Sequence, residues 1–120
     1  MEKVTGIGGV FFRAKNPELL SSWYETHLGV SPVPTSYDAQ PWTQQAGPTV
    51  FAPFEQNTEY LGPASQHWMI NFRVSDLQAM VAQLRQSGIE VTVDSEVHPN
   101  GHFARLQDPE GNPIELWQPA

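Results

Sequence analysis

One carboxylate in this chain stands where chemistry could be organised around it. Glu115 lies within Asp108-Pro109-Glu110-Gly111-Asn112-Pro113-Ile114-Glu115-Leu116-Trp117, a stretch that opens as a turn and closes as a strand. Asp bonds its own backbone readily, Pro fixes φ, and Gly takes positive φ without steric cost. Beyond the turn, Ile114 and Leu116 alternate with Glu115 and Trp117, the period of two that marks a strand with one aliphatic face. Glu115 therefore points to the opposite side, beside Trp117. A Glu on such a face is ordinarily solvated, so a chemical role depends on what the chain brings to the same side.

Few other residues compete for that role. There is no cysteine, hence no thiol nucleophile, no disulfide framework and no thiolate metal site. There is no Gly-x-Ser-x-Gly elbow, and Gly6-Ile7-Gly8-Gly9 precedes a strand pattern, so it lacks the helix N-terminus that would hold a phosphate. Of the histidines, His98 and His102 flank the turn Pro99-Asn100-Gly101 and are expected to face water, while His27 falls late in a helix, where a cation complements the dipole. His67 shares a strand face with Met69 but stands two residues earlier, about 7 Å along the strand. It is the one histidine that could approach Glu115 as a metal ligand. Glu115 itself is the candidate general acid or base.

The elements that must position these groups follow from periodicity. Gly6 to Ala14 alternates, with Val10, Phe12 and Ala14 on one face and Gly9, Phe11 and Arg13 on the other. A helix follows, with Asn16 as N-cap, Pro17 at the first position, Gly29 at the end, and Leu19, Leu20, Trp23, Tyr24 and Leu28 along one side. Residues 30–48 are rich in Pro, Ser and Gln, with Tyr37 and Trp42 as their large apolar groups. Thr49 to Phe54 is a short strand pattern that Pro53 confines to an edge or an end. Residues 55–66 resemble a linker or an exposed flap.

The pattern then begins again. Trp68 to Val74 is a strand with Ile70, Phe72 and Val74 on one face and Met69, Asn71 and Arg73 on the other. Ser75 is the expected cap of a second helix, with Gln78 placed for a capping box and Leu77, Met80, Val81 and Leu84 as its apolar stripe. Ile89 to Val93 and Phe103 to Gln107 complete the strand patterns before the closing stretch. Shifted by sixty residues, Phe12 falls on Phe72, Arg13 on Arg73, Asn16 on Asp76 and Leu20 on Met80, and aligning Gly47 with Gly111 sets Phe51 on Glu115. The expectation is an α+β domain over residues 1–120: module one at about 5–55, a linker at about 56–66 and module two at about 67–118. A unit of about fifty residues cannot bury both faces of its sheet alone, so the two must combine. The helices cover the aliphatic faces, and the other faces turn toward a shared cleft. Gly9, Phe11, Arg13, Phe51, Met69, Asn71, Arg73, Phe103, Arg105, Glu115 and Trp117 form the cleft-facing set.

Charge narrows the partners. Thirteen acidic against six basic side chains give a net charge of −7, which repels nucleic-acid phosphates and anionic membrane surfaces. No window approaches the length of apolar chain that spans a bilayer, and the start has no basic-then-apolar leader. A cytoplasmic protein, without nucleic acid or membrane as partner, is expected.

The tandem unit, the closing Asp108-to-Leu116 motif and the entry Phe72-Arg73-Val74-Ser75-Asp76-Leu77 into the second helix together resemble the glyoxalase / bleomycin resistance / extradiol dioxygenase superfamily, also called vicinal oxygen chelate proteins. The resemblance covers about Gly6 to Gln118. It implies two βαβββ modules forming a cup-shaped mixed sheet with helices on the outer face, assembled as a homodimer. It also implies a divalent metal held at four positions, which here are Gly9, Phe51, Met69 and Glu115. Only Glu115 can ligate a cation, whereas a catalytic metal takes about three protein ligands, so no cofactor is expected and a divalent metal would have to use Glu115 with His67. Two functions follow, beside a third option in which the cleft is closed by its own aromatics and nothing binds. In the first, a metal-free or weak-metal module binds a small, partly aromatic molecule between Phe11, Phe51, Met69, Phe103 and Trp117, oriented by Asn71, Arg73 and Glu115. The alternative is a lyase or isomerase of glyoxalase type, working through a metal or through Glu115 as base.

Overall fold

The turn Asp108–Asn112 is the hinge on which the sheet is built. In the computed structural model, which describes residues 1–120, the Asp108 carboxylate accepts from the Glu110 N–H at 2.8 Å, the Asn112 N–H at 3.1 Å and the Asn112 side-chain amide at 2.8 Å. Gly111 takes φ 83°, the left-handed conformation that a side chain resists. The elements run α1 (Pro17–Leu28), β1 (Ile70–Arg73), α2 (Leu77–Gln86), β2 (Thr92–Val93), β3 (Gly101–Gln107) and β4 (Pro113–Pro119). The strands form one mixed sheet of order β1-β4-β3-β2, with β1 parallel to β4 and the other pairs antiparallel.

Both helices lie on the aliphatic side of this sheet. Leu77, Val81 and Leu84 of α2 pack with Ala104 and Leu106 of β3 and Ile114 and Leu116 of β4, and Leu20 and Tyr24 of α1 join the same core. Ile114 and Leu116 are fully buried, each contributing about 1.5–3 kcal/mol by leaving water. Helix α1 is fastened to the β3–β4 turn by polar bonds as well. The Tyr24 hydroxyl donates to Asp108 Oδ2 at 2.7 Å, and the Glu110 carboxylate accepts the Lys15 and Asn16 N–H groups at 2.6 and 3.1 Å. Asn16 in turn caps α1 by accepting from the Leu19 N–H at 3.2 Å.

Several sequence expectations are corrected. Asp76, not Ser75, caps α2, accepting from the Ala79 N–H at 3.0 Å; two good capping residues stand side by side, and the carboxylate takes the place. Strand pairing starts at Ile70 rather than Trp68, and only Thr92 and Val93 of the Ile89–Val93 pattern join a ladder. Val91 is instead buried in the core.

The largest difference lies in the first half. The second unit takes the expected form of strand, helix and three strands, whereas the first contributes only its helix: neither Gly6–Ala14 nor Thr49–Phe54 enters a ladder. A strand needs a partner edge as well as alternation. Three glycines weaken the first segment, and prolines just before the second and within it, at 48 and 53, donate no ladder bond. Phe11, Val50 and Phe51 are accordingly 96%, 70% and 86% exposed. Ala14 packs against the core, and Phe12, 37% exposed, sets its ring 4.8 Å from that of Trp68 and 6.5 Å from that of Tyr24.

Candidate functional site

The register of the sheet lays out two rows of side chains on the face away from the helices. Asn71 of β1 lies opposite Glu115 of β4, which lies opposite Arg105 of β3; one step along, Arg73, Trp117 and Phe103 align in the same way. Adjacent strands stand about 4.8 Å apart and same-face residues about 6.7 Å along a strand. The first row is amide, carboxylate and guanidinium. The second is guanidinium, indole and phenyl, with the Trp117 and Phe103 rings 6.3 Å apart and nearly parallel at 6°.

Glu115 is 7% exposed, which for a carboxylate requires partners. Asn71 Nδ2 donates to its Oε1 at 2.7 Å, and the Tyr60 hydroxyl donates to its Oε2. Arg105 makes no ion pair with Glu115 despite facing it across the ladder. Its Nη2 donates to the Tyr60 carbonyl at 2.7 Å, and its Cζ stands 4.6 Å from the centre of the Tyr60 ring. Burial first, and then the hydrogen bond to Glu115, push the Tyr60 hydroxyl up to about 12, so the group is a neutral donor across the physiological range.

One member of the second row, Arg73, is already engaged by the segment that precedes Tyr60. Arg73 donates to the carbonyls of Gln45, at 2.8 Å, and Pro48, and to the Thr49 hydroxyl at 3.3 Å. Gly47 makes room for this: a Cβ there would stand 2.8 Å from Arg73 Nε. Trp117 is anchored by its Nε1–H, which donates to the Asn100 carbonyl at 2.9 Å. Two open hollows, one beside the end of α2 and one inside the 56–64 loop, lie apart from Glu115.

Of the residues singled out from sequence, Asn71, Arg73, Phe103, Arg105, Glu115 and Trp117 therefore share one face. Met69 flanks it, its Sδ 3.5 Å from Arg105 Nη2. Phe11 and Phe51 stand apart, exposed on segments that do not join the sheet. Trp42 lies edge-on to Phe72, ring centres 6.5 Å apart. Tyr60 and Phe54, whose rings stack at 5.6 Å and 24°, are not in the sequence-derived set. Tyr60 is the one aromatic residue of the 55–66 segment, and that isolation is the only sequence signal it carries.

The donor set does not fit the family's metal. Of positions 9, 51, 69 and 115, glycine, phenylalanine and methionine occupy the first three, and both oxygens of Glu115 are engaged by neutral donors. His67 is exposed, and no three His, Asp or Glu side chains come together as a ligand group. His98 is paired with Asp94 at 2.9 Å on the surface. The Glu96 N–H, and then the His98 ring, hold the Asp94 carboxyl below its ordinary range.

A family model described as a glyoxalase-like domain matches residues 9–117. No curated protein matches the chain. Among solved structures, a glyoxalase family protein from Bacillus anthracis is 21% identical over 86% of this chain and 84% of that one, with a TM-score of 0.56, a likeness of fold. TnmS3, an antibiotic-binding protein from Streptomyces sp. CB03234, is 35% identical over 42% of this chain and 41% of its own, with a TM-score of 0.39. A glyoxalase/bleomycin resistance protein from the same Streptomyces is 35% identical over 41% of this chain and 42% of its own, with a TM-score of 0.37. The chain thus spans about two fifths of the length of these two Streptomyces structures. With 109 of its 120 residues inside the family model, the chain belongs to the glyoxalase-like family, within the glyoxalase / bleomycin resistance superfamily.

Proposed function

We propose that the face carrying Glu115 binds a small, partly aromatic organic molecule, and that it does so without the family's full metal set. The observation that carries this reading is the pairing of a buried carboxylate, satisfied by neutral donors, with a row of aromatic side chains one step along the same face. Small-molecule sites use apolar walls for affinity and a few polar groups for orientation. Glu115 is the orienting acceptor, Arg105 and Arg73 are the orienting donors, and Phe103 and Trp117 supply the planar contacts. Asn71, at the solvent-exposed edge of the first row, is the side from which a ligand enters. Phe11 and Phe51, exposed on segments that do not join the sheet, belong to the dimer contact rather than to this wall. The reading includes a homodimer, in which a second copy covers the exposed apolar side chains of that half.

The test is intrinsic tryptophan fluorescence of the full chain against a library of small aromatic compounds. A saturable change is expected, weakened about tenfold or more by Glu115→Ala, since a lost hydrogen bond to a charged group costs about 1.5–3 kcal/mol. A flat response across the library would end the binding reading. Thermal-shift titration with Ni, Co, Zn and Mn addresses the metal. Stoichiometric metal that is lost with Glu115→Ala would instead support glyoxalase-type chemistry.

A further inference from the structure

Building on the binding reading above, we propose that Tyr60 is a built-in occupant of the Glu115 site, and that the molecules exchanged for it are neutral phenols, aromatic rings carrying an un-ionised hydroxyl.

Three groups recognise the Tyr60 side chain, each by a different part of a phenol. Glu115 Oε2 accepts its hydroxyl, the Arg105 guanidinium lies 4.6 Å from its ring centre, and the Phe54 ring stacks on it at 5.6 Å. Because Asn71 already holds Oε1, Oε2 is the carboxylate oxygen that meets the hydroxyl. It rewards a donor and repels an anion at that point. The guanidinium favours the π face of an electron-rich ring. A ring without a hydroxyl leaves Oε2 buried and unsatisfied, and a phenolate places two negative charges together. A neutral phenol is the chemistry that answers all three.

The attachment of Tyr60 suits exchange. Around it the chain makes only local turns: the Thr58 N–H to the Glu55 carbonyl, the Gly62 N–H to the Glu59 carbonyl and the Tyr60 N–H to the Thr58 hydroxyl. Its polar bonds to the sheet are those to Glu115 and from Arg105. Lifting the residue breaks these two hydrogen bonds, the Phe54 stack and the Arg105–ring contact, and no ladder. Tyr60 is 40% exposed, so an incoming ring can begin to replace it from solvent.

The experiment titrates p-cresol and toluene into the wild-type chain and Tyr60→Ala, read by tryptophan fluorescence and calorimetry. Removing a tethered competitor, whose effective concentration is on the order of millimolar, is expected to tighten p-cresol binding at least about tenfold in Tyr60→Ala. Toluene is expected to bind that variant at least about tenfold more weakly than p-cresol. Equal p-cresol affinity in the two proteins would overturn the exchange, and equal affinity for toluene and p-cresol would overturn the phenol preference while leaving an aromatic-binding face in place. If neither protein binds any aromatic compound, the reading under Proposed function falls as well. Should Tyr60→Ala not fold, the wild-type chain decides alone: at p-cresol saturation the Tyr60 ring resonances move to those of a solvent-exposed tyrosine, and resonances that stay fixed overturn the proposal.

Discussion

At the scale of single residues, strand period explains both what could be read early and what could not. Asn71, Arg73, Phe103, Arg105, Glu115 and Trp117 share a face because alternation admits only two sides, so once the aliphatic residues claim one, the rest are assigned. Tyr60 obeys no period. It reaches Glu115 across 55 positions through a loop, and nothing in Asn57-Thr58-Glu59-Tyr60 encodes that distance. The contact has a pH signature. The Tyr60 hydroxyl is raised from 10.0 to about 12, so the folded state favours its neutral form more than the unfolded chain does. The stability this provides is complete below pH 10 and is lost as the pH rises from there through about 12. Urea unfolding across that window is expected to show wild-type stability falling more steeply than that of Tyr60→Phe. Parallel pH profiles for the two would mean that Tyr60 does not titrate against Glu115. Tyr24 is raised in the same direction, by burial first and then by its bond to Asp108, and supplies a background common to both proteins.

At the scale of elements, helices and turns were legible because they carry their own chemistry, whereas strand pairing depends on a second segment. Asn16 and Gly29 bound α1 as their types predict, and the Asp108–Asn112 turn forms from its own side chains. Ser75 misplaced a helix cap by one residue because Asp76 beside it is an equally good signal. What sequence did not disclose is that the first helix packs into the second unit's core through Leu20 and Tyr24. Tyr24→Phe removes the hydroxyl that donates to the buried Asp108, and is expected to cost about 1.5–3 kcal/mol in chemical denaturation. A loss below about 0.5 kcal/mol would show that α1 is not fastened through this bond. Gly101, at the start of β3, is a second test. Its φ is 133°, and an added Cβ would sit 2.1 Å from the Gln118 carbonyl oxygen and 2.9 Å from Trp117 Nε1. Backbone cannot give way cheaply, so Gly101→Ala is expected to destabilise by about 3 kcal/mol and to alter tryptophan emission, since Trp117 must move. An unchanged melting temperature would contradict the pairing at this end of β3 and β4.

At the scale of the whole molecule, burial is uneven, and the proposed homodimer would account for it. Of 15 buried residues only Leu20 and Tyr24 come from the first half, and the radius of gyration of 15.4 Å exceeds the roughly 14 Å of a well-packed chain this long. Val10, Phe11, Val50 and Phe51 are 55%, 96%, 70% and 86% exposed, on the segments that carry strand alternation without a ladder. Apolar groups gathered on such segments gain about 25 cal/mol for each Å² they cover, and a second copy offers the same segments in return, as two-fold association requires. Opposing this is a net charge of −7 on each chain, whose repulsion reaches about 10 Å at 0.1 M salt and about 3 Å at 1 M. Light scattering at micromolar concentration is therefore expected to give twice the 13.4 kDa chain mass, with the dimer fraction rising as salt is added. Replacing Phe11 and Phe51 together by Ser is expected to return the mass to that of one chain while leaving the melting of the β1–β4 sheet close to wild type, because neither side chain enters its core. A monomer at every salt concentration would overturn the homodimer.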